Sequence, residues 1–156
     1  MGLRGAVQRA LASLRPADTR SSDPAEAVEA VRVLVVDDDQ GVLDVAERLL
    51  IADGYVPVLT GAPHSALQVA RSIRPGAILL DVLMPGFDGW DVLAALKSDP
   101  QTSAIPVLMI CMLGERSRAL ESGAAGVVPK PLDSVNMRTA LSAVLPDNGR
   151  KRAAGL

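Results

Sequence analysis

Aromatic side chains are nearly absent: one Trp, one Tyr and one Phe make up 2% of the 156 residues. The core must therefore be built from Leu, Val, Ile and Ala, and a hydrophobic share of 49% is enough for a folded domain. A single cysteine, Cys111, excludes an intramolecular disulfide and a cysteine metal cluster. A single histidine, His64, excludes a multi-histidine metal site. Charge of one sign is also lacking, and a net charge of −2 gives no general attraction to nucleic acid or anionic lipid. No apolar run reaches the roughly 18 residues of a membrane span. Met1 to Arg15 lacks the continuous apolar stretch of a secretory signal, and Ala6 stands where a myristoylation signal has Ser or Thr. The length suits one domain, expected in the cytoplasm.

What is present falls into three parts. Residues 1–30 form an N-terminal extension: Leu3, Val7, Leu11 and Leu14 fall at helical spacing with Arg4, Arg9 and Arg15 between them, and a linker rich in Ala, Ser, Asp and Pro follows. A short amphipathic helix there is marginal alone; docked, it would suit a partner or a membrane surface. Residues 31–145 alternate between apolar runs and amphipathic stretches, and residues 146–156 read as a loose tail. The expected strands are Val31–Val36, Tyr55–Leu59, Ala77–Leu80, Val107–Cys111 and Gly126–Val128. The expected helices are one with a face of Val42, Val45, Ala46, Leu49 and Leu50 stopped at Gly54, then Pro63–Arg74, Asp88–Ser98 and a weaker Glu115–Ser122. A last helix has a face of Met137, Ala140, Leu141, Val144 and Leu145. Five strand–helix units of this kind imply an α/β fold, with a parallel sheet covered by helices on both faces.

In such sheets the working residues sit just past the carboxyl ends of the strands. The first strand ends in Asp37, Asp38 and Asp39, the third in Asp81, the fourth in Cys111, and the fifth runs into Lys130. With the first and third strands adjacent, at least three carboxylates converge. Two of them about 4 Å apart repel by ~4 kcal/mol at an effective dielectric near 20. That repulsion calls for a cation, and hard oxygen ligands suit Mg²⁺ with waters completing its shell. A divalent ion and a lysine facing a carboxylate supply what phosphoryl transfer needs, charge neutralisation and positioning. Taken singly the residues have plainer roles. Asp39 is an N-cap, a lone loop lysine is solvated, Cys111 is a small buried hydrophobe and His64 is exposed near a helix start.

The stretches Val33-Leu-Val-Val-Asp37-Asp-Asp39, Leu80-Asp-Val-Leu-Met-Pro85-Gly-Phe-Asp-Gly89 and Lys130-Pro131 resemble the receiver domains of bacterial two-component response regulators. The likeness covers about residues 31–145. Asp88-Gly89-Trp90 and Ile105-Pro106-Val107 are also similar to receivers attached to hybrid histidine kinases. The resemblance implies a doubly wound, flavodoxin-like sheet of order 2-1-3-4-5. It implies Asp81 as phosphoacceptor, Asp38 as direct Mg²⁺ ligand and Asp37 as its acidic neighbour. The backbone carbonyl of Leu83 would be a further ligand, and Lys130 the partner of the phosphoryl oxygens. It also implies a cis bond before Pro131. The chain would then be a single-domain phosphoacceptor signalling protein, not a turnover enzyme, though assisting its own phosphorylation and dephosphorylation. Its partners would be a histidine kinase or histidine phosphotransfer protein and a downstream protein, without direct nucleic-acid binding.

Two positions depart from the family. Cys111 stands where Thr or Ser donates a hydroxyl to the phosphoryl group, and a thiol is a weak donor. Val127 stands where a Tyr or Phe swings with that hydroxyl. Leu83, Met112 and Leu113 put apolar groups around the approach to Asp81. One alternative is a binding module of the same fold that no longer depends on phosphorylation. Another is a haloacid dehalogenase-like phosphatase, whose opening Asp37-x-Asp39-x-Gly-Val resembles, with Asp37 as nucleophile. That family also needs an acidic metal pair after a later strand, and none follows Val107–Cys111.

Overall fold

The computed structural model describes residues 30–146. The expected helix around Leu3–Leu14, its linker and the tail past Pro146 lie outside the described residues. Five strands form one sheet: β1 (Arg32–Val36), β2 (Val56–Thr60), β3 (Ala77–Asp81), β4 (Val107–Cys111) and β5 (Gly126–Pro129). Their order is 2-1-3-4-5 and every pairing is parallel, as the resemblance implied. The central strands are apolar along their whole length because both faces of the sheet are covered. All five residues of β3 and all five of β4 are buried.

Alternate residues of each strand feed two separate cores. Leu34, Val36, Ile78, Leu80, Met109 and Cys111 face one side, and Val33, Val35, Leu79, Leu108 and Ile110 the other. Helices α1 (Gln40–Ala52) and α5 (Ser134–Val144) cover the second side. Helices α2 (Ala66–Ile73), α3 (Gly89–Ser98) and α4 (Arg116–Glu121) cover the first. Aspartates open three of the helices: Asp39 accepts from the Gly41 amide, Asp88 from Trp90 and Asp133 from Asn136.

Several local expectations shift. The buried stripe of α1 is Leu43, Ala46 and Leu50, while Val42, Val45 and Leu49 are half-buried at its edge. Packing against a twisted sheet chose a stripe rotated from the one that periodicity suggested. The stretch Pro63–Arg74 divides into a 3₁₀ turn, Pro63–Ser65, and α2, which ends on Arg74 at φ 47°. A second 3₁₀ turn, Leu113–Glu115, precedes α4. Between β3 and α3 an unexpected two-residue ribbon pairs Leu83–Met84 with Phe87–Asp88. Its turn holds Gly86 at φ 77°, a conformation that suits glycine.

The ribbon folds α3 back onto the end of β3. A Cβ built on Gly89 would lie 2.3 Å from the Asp81 carbonyl oxygen and 2.7 Å from the Val82 Cα. Gly89→Ala should therefore destabilise the chain by about 1–3 kcal/mol, as overpacked sites do, seen as a lower urea midpoint. Gly114→Ala, where a Cβ meets nothing within 4 Å, should leave the midpoint in place.

Candidate functional site

The strand order brings the chemistry-bearing residues to one edge. Val36 lies beside Leu80, so Asp37 and Asp81 each follow at the same height on adjacent strands. Asp81 in turn pairs with Ile110, one residue before Cys111, and Cys111 pairs with Pro129, one residue before Lys130. The Lys130–Pro131 bond is cis.

The two carboxylates are nearly sealed from solvent, at 0% exposure for Asp37 and 3% for Asp81. Buried charges demand partners. Asp81 Oδ1 forms an ion pair with Lys130 Nζ at 2.8 Å and accepts from the Leu83 amide at 3.2 Å. Asp37 Oδ1 accepts from the Asp39 amide at 3.0 Å. Asp37 Oδ2 is buried without a hydrogen-bond partner. Burial foremost, with help from the Asp81 carboxylate, pushes Asp37 from 3.8 up to about 7, against the pull of the Asp39 amide and of Lys130. Beneath Asp37, its own amide donates to the Thr60 carbonyl, and Thr60 Oγ1 lies 3.4 Å from Ser65 Oγ.

An orphaned, buried carboxylate oxygen beside a second carboxylate is what a hard divalent cation satisfies. The donor set fits magnesium, which takes one or two carboxylates and keeps several waters. Asp38, by contrast, points into solvent, and among the described residues no three His, Cys, Asp or Glu side chains are gathered to hold a metal ion. The side chains brought together are thus Asp37, Asp81 and Lys130, with Cys111 adjoining. Burial pushes the Cys111 thiol up, the Glu115 carboxylate adds to this, and Lys130 opposes it, so it stays protonated at neutral pH. Leu83 is 67% exposed, Met112 58% and Leu113 75%, all in the connections that follow β3 and β4.

The ribbon and its stack were not foreseen from the sequence. Phe87 packs on exposed His64, with ring centroids 5.9 Å apart. The Gly-Phe-Asp-Gly stretch was the available signal, but nothing in it announces His64 as the partner.

The raised Asp37 has a consequence for the metal-free chain. From about pH 4 to about pH 7 the folded chain holds a proton that the unfolded chain has released, so stability falls as pH rises through that window. The fall should be on the order of 2–4 kcal/mol and flat above it. Urea unfolding in chelator at stepped pH should show this slope, and Asp37→Asn should remove most of it.

A family model described as the response regulator receiver domain matches residues 33–142. The response regulator PleD of Caulobacter vibrioides is 43% identical over 110 residues, which cover 68% of this chain and 24% of PleD. This chain thus spans about a quarter of that relative. Chemotaxis protein CheY4 of Vibrio cholerae superposes with a TM-score of 0.69 at 26% identity, covering 75% of this chain and 100% of that one. The receiver domain of sensor histidine kinase PA1611 from Pseudomonas aeruginosa, with magnesium coordinated in its active site cleft, shares the fold at a TM-score of 0.67. Its identity is 23%, over 74% of this chain and 98% of that one. With the strand order, the aspartate pair and the lysine in place, the match over residues 33–142 makes this chain a member of the response regulator receiver domain family.

Proposed function

We propose that this chain accepts a phosphoryl group on Asp81 from a histidine kinase or histidine phosphotransfer protein and signals by binding a downstream protein. One observation carries the reading. Asp81, buried at the strand edge, is paired to Lys130 at 2.8 Å beside an Asp37 oxygen with no hydrogen-bond partner. An Asp81 oxygen would bond to phosphorus as the phosphorus–nitrogen bond to the donor imidazole breaks. The Lys130 ammonium would meet the negative charge arriving on the phosphoryl oxygens. The Leu83 amide, already on Asp81, holds the carboxylate in one orientation. Asp37 and Asp81 are the side chains that would hold magnesium, with Asp38 at the rim and the Leu83 carbonyl as further donors. The ion would supply charge neutralisation that Lys130 alone does not. The magnesium in the PA1611 receiver supports this assignment by likeness of fold.

Leu83 and Leu113 give the approach to Asp81 an apolar lining. Such groups leave an incoming water without partners and slow hydrolysis of the acyl phosphate. Cys111 offers the arriving group only a weak thiol donor in place of a hydroxyl.

Incubation with acetyl phosphate and Mg²⁺ should place one phosphoryl group on Asp81, located by mass spectrometry after borohydride trapping. Asp81→Ala should abolish it, in this assay and in phosphotransfer from the host's histidine kinases. Labelling of Asp37 instead would favour the phosphatase reading, and no labelling a phosphorylation-independent module. Leu83→Asn and Leu113→Glu should each shorten the lifetime of the acyl phosphate several-fold; unchanged decay would remove the apolar lining from the explanation.

A further inference from the structure

We propose that the contact between Arg118 and Trp90 is the link by which the state of Asp81 sets the position of α4. The inference rests on Asp81 being the phosphoacceptor and names how that event is transmitted. The groups that the family resemblance assigns to this task are missing. Cys111 has no hydroxyl to draw toward a phosphoryl group, and Val127 has no long side chain to swing. Both still face the core layer that carries α3 and α4.

That layer contains another connection. Gly89, the first residue of α3, donates its amide to the Val82 carbonyl at 3.1 Å. It packs so closely that a Cβ would overlap the Asp81 carbonyl oxygen. The first turn of α3 therefore rests on the backbone of the phosphoacceptor itself. Close-packed groups of this kind cannot absorb a shift at Asp81 and Val82; they pass it on. The next residue is Trp90, half-buried, with its amide capped by Asp88 at 2.8 Å. Over its ring, 4.3 Å from the centroid, lies the guanidinium carbon of Arg118 on α4.

Helix α4 is short and mostly exposed. It has six residues, and Ala119 is the one that is buried. Arg118 and Leu120 are exposed. On so lightly held an element a single cation–π contact is a large share of the restraint. At an exposed site such a contact shifts a two-state population about two- to five-fold. A group on Asp81 that displaces the first turn of α3 must weaken this contact, and by reciprocity the contact must oppose that group. Arg118 is thus a positioning residue, acting through Trp90 on α3.

Trp90 is the single tryptophan of the chain, so its emission reads this contact directly. The experiment titrates the full chain with beryllofluoride and Mg²⁺, following bound fluoride by ¹⁹F NMR and Trp90 by fluorescence in parallel. In the wild type, the emission should change in step with occupancy. Arg118→Met should bind beryllofluoride about two- to five-fold more tightly and lose most of the emission change. Arg118→Lys, which keeps a cation, should recover part of both. Occupancy and emission identical in Arg118→Met and the wild type would overturn the inference, as would occupancy without any Trp90 response in the wild type. If the wild type bound no beryllofluoride by NMR, the assignment of Asp81 would fall, and the link with it.

Discussion

Two carboxylates held out of water at one end of an apolar sheet are the constraint on which this molecule turns. Asp37 and Asp81 sit on adjacent strands at the same height, so neither can retreat from the other without breaking the β1–β3 pairing. Lys130 relieves part of the repulsion through Asp81, and one oxygen of Asp37 stays without a hydrogen-bond partner. That residual imbalance gives the pocket its chemistry. It favours a proton or a cation beside Asp37.

The surrounding structure follows from serving that edge. Parallel strands with buried faces put all their carboxyl ends on one side, where the helix N-terminal aspartates Asp39, Asp88 and Asp133 also lie. The ribbon Leu83–Asp88 turns the chain sharply enough to press Gly89 onto Asp81. This region departs from a regular strand–helix connection, and it is also where the pocket meets α3. Apolar Leu83, Met112 and Leu113 stand exposed around it.

Much of this was legible in the residues. Continuous runs such as Val33–Val36 and Val107–Cys111 announce strands buried on both faces, because a strand with one wet face alternates. Asp37, Asp81 and the Lys130-Pro131 pair are legible as the residues that end the first, third and fifth strands. Less visible were features set by packing. In α1, Val42, Val45 and Leu49 lie on the edge of the buried stripe, because the sheet's twist chooses which side of an apolar helix turns inward. The His64–Phe87 stack and the Arg118–Trp90 contact join residues 23 and 28 positions apart by their numbering, and no local pattern predicts either.

The sequence by itself determined the alternation of elements, the two-sided burial of the sheet and the identity of the charged groups at the strand ends. These are local properties, carried by periodicity and by the residue that follows each strand. The tertiary structure alone decided that Asp37 is sealed while its neighbour Asp38 is exposed, since that depends on what packs over the end of the strand. It decided as well that Gly89 abuts Asp81 and that Arg118 reaches Trp90. Such contacts depend on how helices seat on a twisted sheet, which only the closed fold specifies.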